Sequence, residues 1–295
     1  MGNKSNRTIS KPKIETSNEK VIVGIDFGTS GIAYAYSFYS KVDIFLSTFQ
    51  GQSADQKVPS QIILDNDMKT VLAFGAECKD YIVNNEKSTY EYFKNIKMNL
   101  YNKQYYIKST NGKECEIELI ITKILEKVSQ HALSKIQDSH DNSIRKEDIK
   151  WIVSIPAIWE EKSKQIMINA SIKAGLINEN IDLSLFLALE PEAAGIYYYS
   201  SSCSSLDEEY SSGKKPYIIC DIGAGTVDIC THKKVIINNN ESELIEEYPP
   251  IGGDYGGNYI NEEFIKRFII EILKKIYKNY KMILIMKNGM NLKEK

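Results

Sequence analysis

The strongest constraint on the fold is a short acidic, glycine-rich turn that the chain builds twice. "VIVGIDFGTSGIAYAYSF" runs from Val21 to Phe38, and "YIICDIGAGTVDICTH" runs from Tyr217 to His232. In each, an apolar run leads into one aspartate, Asp26 or Asp221, then into glycine and hydroxyl residues, then into a second apolar run. Short apolar runs bounded by glycines read as buried strands. Each motif is therefore a strand, a tight turn and a further strand. Their recurrence reads as an approximate internal duplication, too long in period for a solenoid.

The turns carry a chemistry. Glycine leaves backbone N–H groups uncovered, and several such groups pointing one way form a nest for phosphate. The hydroxyls of Thr29, Ser30 and Thr226 add donors. A carboxylate beside phosphate repels it unless a cation lies between, and Mg²⁺ is commonly held by one or two carboxylates together with phosphate oxygens. Asp26, Asp221 and Asp228 therefore read as the metal side of a magnesium–nucleotide site. One such turn alone is a weak signal, because Asp-Gly turns are common in hairpins; two of the same grammar are stronger. The chain contains neither a P-loop nor a G-x-G-x-x-G opening a helix.

The rest of the chain frames the turns. "VDIFLSTF" and "SQIILD" continue the strand signals. Ile117, Ile120, Ile121, Ile124, Leu125 and Val128 recur three or four apart, so Lys113 to Gln137 reads as an amphipathic helix. "IKWIVSIPAIW" (Ile149 to Trp159) reads as a buried strand stopped by Pro156, and "EKSKQIMINASIKAGL" (Glu161 to Leu176) as a helix with Gly175 near its end. In "SLFLALEPEAAGIYYY" a short strand meets a turn at Glu190-Pro191 and then a helix. Residues 200–216 are polar and low in complexity, which marks a flexible loop and a boundary. A closing helix is expected over Ile260 to Tyr280. The expected division is a disordered tail at 1–20, a first lobe at 21–199, the loop at 200–216 and a second lobe at 217–295.

Composition excludes several classes. The 295 residues hold 37 Lys and Arg against 39 Asp and Glu, a net charge of −2, so the basic excess of a nucleic-acid binder is absent. The five cysteines form no CxxC pair and there are three histidines, which leaves no obvious zinc site. No apolar run is long enough to anchor in a membrane. Reduced thiols and the lack of a signal-like segment give a cytoplasmic expectation.

In order along the chain, "GIDFGTS", "IVSIPAIW", "LALEPEAAGIYY", "DIGAGTVD" and "GGDYGGNYINEEF" resemble the segments of the heat-shock 70 kDa protein family, related to the bacterial chaperone DnaK. That family lies within the actin-like ATPase superfamily. Trp159 after Pro-Ala and the Leu-Glu-Pro-Glu-Ala-Ala wording are most similar to the divergent 12-type branch. The resemblance covers about residues 20 to 280 and implies an α/β fold of two duplicated lobes, each a mixed sheet flanked by helices. It also implies ATP and Mg²⁺ as cofactors and a nucleotide-dependent switch with slow hydrolysis. Carried over residue by residue, Gly28, Thr29 and Ser30 match the first phosphate turn, and Gly223, Ala224, Gly225 and Thr226 the second. Gly256 and Gly257 match glycines near the terminal phosphates, and Glu190 the glutamate that places metal and attacking water. Asp221 shares the water-orienting role. Lys97 matches the lysine at the γ-phosphate, with Lys94 as the alternative.

Three departures bear on that reading. Ala224 stands where the family usually has glycine, and at a positive φ it would cost on the order of 1 kcal/mol. Gly31 replaces a bulkier residue, which is expected to loosen the hairpin tip. The family's adenosine-binding glycine motif has no counterpart here, so the chain is expected to be truncated with an incomplete second lobe. Two other functions share the motifs: a sugar- or glycerol-type kinase, which needs a further carboxylate base, and a non-catalytic relative that only binds partners.

Overall fold

The computed structural model describes residues 20–39, 43–46, 49, 57–85, 89–177, 187–200, 215–238 and 241–280. The tail expected at 1–20 lies outside these but for Lys20, as does most of the loop expected at 200–216.

Strand β1 (Val21–Phe27) alternates strictly, with Val21, Val23, Ile25 and Phe27 buried on one face. It pairs antiparallel with β2 (Gly31–Phe38) and parallel with β10 (Ile149–Ile155), and β10 pairs parallel with β11 (Leu187–Leu189). Between β2 and β10 lie β3 (Ile44–Leu46) and β4 (Val58–Pro59), both paired to β2, then β5 (Gln61–Leu64), β6 (Val71–Phe74), β7 (Glu91–Lys94), β8 (Tyr106–Lys108) and β9 (Glu114–Glu116). The main sheet runs β11-β10-β1-β2-β3 and is mixed. Helices α1 (Glu77–Asn84), α2 (Ile96–Tyr101), α3 (Ile117–Ser139) and α4 (Glu161–Lys173) follow in chain order.

α3 keeps the expected apolar stripe: Ile117, Ile120, Ile121, Ile124, Leu125, Val128, Ala132 and Ile136 are buried. It starts later than the sequence pattern indicates because residues 114–116 pair as β9 with β8. β10 ends at Ile155, stopped as expected by Pro156, which offers no N–H to a ladder. α4 closes at Ala174, and Gly175 follows at φ +68°, the left-handed stop that glycine supplies.

The second sheet is β12 (Tyr217–Ile222), β13 (Val227–Asn238) and β14 (Glu241–Gly253) in that order. Its described strands are antiparallel throughout, where a mixed sheet was expected; short hairpin links permit only that sense. Helix α5 (Glu190–Ser200) contacts β12. After β14 come α6 (Gly257–Phe264), a π-helical turn (Ile265–Ile269) and α7 (Ile270–Tyr280).

The buried apolar core is concentrated in the first part. Among the described residues after 177, Cys230 alone joins the fully buried hydrophobics, while Ile218, Ile222, Ile251, Ile260 and Phe268 are more than half exposed.

Candidate functional site

Sheet register assembles the site. On β1, the face opposite the core carries Gly24 and Asp26. Gly24 pairs with Ile152 and Asp26 with Ser154 on β10, and Ser154 pairs with Ala188 on β11. These residues line one cavity of about 410 Å³. Glu190 follows β11 directly and opens α5, with Pro191 in the first turn, where proline's missing N–H costs nothing. The cavity thus lies at the carboxyl ends of parallel strands, the usual crevice for ligands in open α/β sheets.

The two hairpins are built alike. Phe27 pairs with Ile32 across Gly28–Gly31, and Ile222 pairs with Val227 across residues 223–226. Each loop is four residues long, and each aspartate sits one position before the last ladder pair. Both loops reach the same cavity, which is lined by Gly28, Thr29, Ser30, Gly31, Asp221, Gly223, Ala224, Gly225 and Thr226. They also touch: a Cβ on Gly225 would stand 2.6 Å from Thr29 Oγ1 and 2.4 Å from Met98 Sδ. Glycine at 225 is what lets the second turn close on the first.

Lys97 and Glu190 form the inner wall. Asn95 takes a left-handed conformation between β7 and α2, and this turns the chain so that Lys97 points inward. Lys97 Nζ donates to Glu190 Oε1 at 2.5 Å, with both side chains largely buried, and it lies 6.0 Å from the Trp159 ring. Lys94 is exposed at the end of β7 and does not line the cavity. Burial raises the Glu190 carboxyl above its ordinary value against the opposing pull of Lys97, and the charges of Asp26 and Asp221 add to the rise.

Other expected residues are placed differently. Gly256 and Gly257 are not in the cavity wall. Gly256 N–H donates to Gly225 O, Gly257 N–H to Gly223 O and Asn258 N–H to Ala224 O. The start of α6 therefore holds the second turn from behind, and these donors are spent on its carbonyls rather than free for phosphate. Asp228 pairs opposite Asp221 but is buried, 1% exposed. The Thr226 hydroxyl donates to Asp228 Oδ2 at 3.0 Å, so its proton is committed within the protein. Burial raises the Asp228 carboxyl, with Thr226 opposing and Asp221 reinforcing. Ala224 has no positive φ, so alanine there carries no such strain. Gly31 does not loosen its hairpin: β2 begins at Gly31, which pairs with Pro59, and a Cβ there would meet Lys57 Cβ and Val58 O at 3.1 Å.

Two lining residues with polar side chains escaped the sequence reading. Lys57 Nζ donates to Asp26 Oδ2 at 2.7 Å, but it follows a polar stretch with no periodic signal. Ser154 Oγ is buried, lines the cavity and has no hydrogen-bond partner; its position opposite Asp26 was readable only after the β1–β10 register was known.

Among the described residues no group of three or more His, Cys, Asp or Glu side chains could hold a metal ion by itself. The donor set is all carboxylate oxygen, with Asp228 Oδ1 buried and unpaired. It fits a hard ion such as Mg²⁺ carried in with phosphates and waters, and does not fit one caged by side chains alone. No helix among the described residues is long and apolar enough to cross a membrane.

No protein-family model matches the chain. Human heat shock 70 kDa protein 12A is 28% identical over 306 residues, covering 83% of this chain and 45% of that protein. Human heat shock 70 kDa protein 12B is 24% identical over 310 residues, 83% and 44% respectively. The chaperone protein DnaK of Ureaplasma urealyticum is 26% identical over 216 residues, 72% and 29%. Among solved structures, MreB5 of Spiroplasma citri bound to ADP aligns over 90% of this chain and 59% of that one, with a TM-score of 0.47 and 13% identity. The chain spans less than half the length of the curated relatives it matches. By sequence it is a relative of the heat shock 70 kDa proteins 12A and 12B.

Proposed function

We propose that this chain binds ATP or ADP by its phosphates, with Mg²⁺, in the cleft between the two glycine turns, and acts as a nucleotide-dependent switch of the heat-shock 70 kDa type. The observation that carries the reading is the convergence of both turns on one cavity that also holds Lys57, Lys97 and Glu190. Two lobes, at 21–199 and 217–295, would close on the ligand, with Thr29 and Gly225 as the point of contact. Gly28, Thr29, Ser30, Gly223, Ala224 and Gly225 would present backbone and hydroxyl groups to phosphate. Asp26 and Asp221 would hold the waters of a bound Mg²⁺, which would supply charge neutralisation to the phosphate oxygens. Asp228 would act indirectly, by fixing the Thr226 hydroxyl.

Hydrolysis is the finer part of the proposal. Phosphoryl transfer to water needs mainly positioning and charge stabilisation. Lys97 would face developing negative charge. Glu190, with Asp221, would orient the water, and a carboxyl raised above its ordinary value is better matched to accepting a proton near neutral pH. Isothermal titration of the wild-type chain with Mg·ATP tests binding, and Asp26→Asn is expected to weaken it at least tenfold. Absence of binding by a chain that circular dichroism shows to be folded would refute the reading. A steady release of phosphate, lost in Glu190→Gln, tests hydrolysis; binding without release leaves a non-catalytic binding module.

A further inference from the structure

Lys57 belongs to neither glycine turn, yet it reaches the cleft. It precedes β4, and β4 pairs with the start of β2 through Gly31–Pro59 and Ile32–Val58. That pairing lays the lysine stem against Gly31, and any side chain at 31 would stand 3.1 Å from Lys57 Cβ. Gly31 and Lys57 are therefore a matched pair: the glycine makes room and the lysine fills it. The Lys57 ammonium sits on Asp26 with the lysine side chain 57% and the aspartate 42% exposed. A pair this exposed contributes little to stability, so folding alone gives weak reason for it.

The cleft wall gives a better one. Among the described lining residues, three carboxyl side chains, Asp26, Glu190 and Asp221, face two amines, Lys57 and Lys97. Lys97 is buried on Glu190. Lys57 is the more exposed amine, and it feels Asp26, Glu190 and Asp221 together. Asp26 is also the carboxylate that a magnesium–nucleotide complex would engage, so that complex and Lys57 compete for one carboxylate.

We propose that Lys57 is a phosphate-binding residue of the cleft, held by Asp26 until a nucleoside polyphosphate arrives and then transferred to its phosphate oxygens. The inference rests on the nucleotide reading above. Its ligand class is a polyphosphate, because a lysine ammonium on a flexible stem binds phosphate oxygens as a point charge.

The test compares wild type, Lys57→Met and Lys57→Arg by isothermal titration with Mg·ATP. Thermal unfolding checks that the variants fold. Lys57→Met is expected to bind Mg·ATP about tenfold more weakly, the size of one charge-assisted hydrogen bond. Lys57→Arg is expected to stay within about threefold, since it keeps the charge. Equal Mg·ATP affinity in wild type and Lys57→Met would overturn the role of Lys57 and leave the nucleotide site standing. A wild-type chain that binds no Mg·ATP would overturn both.

Discussion

Replacing Lys97 by methionine removes one half of the inner ion pair while keeping a similar apolar stem. The side chains of Lys97 and Glu190 are 8% and 14% exposed at an N–O distance of 2.5 Å. Removing one partner of a buried pair typically costs about 3–5 kcal/mol, because the other charge is left desolvated. Glu190 opens on the cavity, so water relieves part of this, and a loss of about 2–4 kcal/mol at pH 7.5 is expected. The sign of the pH dependence is fixed. Burial already raises Glu190, and Lys97 is the largest opposing influence, so the variant's carboxyl rises further. A carboxyl with a raised folded pKa costs its full amount of stability above that pKa, and the cost falls away as pH is lowered from the folded value to the unfolded one. The deficit of Lys97→Met should therefore shrink between pH 7.5 and 4.5, by at most about 1.4 kcal/mol per pH unit. Urea denaturation at the two pH values reads it directly. The double variant Lys97→Met/Glu190→Gln should recover most of the loss at pH 7.5. A deficit unchanged by pH, or a double variant no more stable than Lys97→Met, would refute the pairing.

Three further outcomes follow from the geometry. Gly256→Ala should destabilise by about 1–3 kcal/mol in urea denaturation, because its Cβ would meet Gly225 and Ala224 backbone atoms at 2.5–2.6 Å, whereas Gly24→Ala, with nothing within 4 Å, should leave stability within about 1 kcal/mol. Gly225→Ala should weaken Mg·ATP binding by more than it lowers stability, since it drives Thr29 and Met98 from the second turn; titration and denaturation on the same sample separate the two effects. Of the four described thiols, Cys220 is exposed and should react first with a thiol reagent at pH 8. Cys78 and Cys230 are pushed up to about 12 and Cys115 to about 11, each mainly by burial, so they should react only on unfolding.

The first hairpin and the helix α3 were legible because their periods are clean: alternate residues of β1 are buried, and α3 keeps a single apolar stripe. The second hairpin was legible through its likeness to the first. β14 was not, because "ESELIEEYPPIGG" is charged and contains Pro249 and Pro250. The structure accommodates them at the sheet edge, where the ladder shifts register between Ile229–Ile251 and Thr231–Tyr248. Glu190 was placed by resemblance alone, since nothing local distinguishes it from Glu192. Gly256 and Gly257 were read as ligand contacts because glycine beside a phosphate and glycine beside another backbone leave the same trace in a sequence. Lys57 and Ser154 depend on which strands lie side by side, and long-range register is not written in any short window.

The central claim is a clamp for phosphates, and a phosphate-removal series tests it most directly. Equilibrium titration with ATP, ADP, AMP and adenosine, each with Mg²⁺, should give affinity that falls as each phosphate is lost. Asp26→Asn should weaken ATP binding by much more than it weakens adenosine binding. Equal affinity for ATP and adenosine would place the recognition elsewhere and contradict the account.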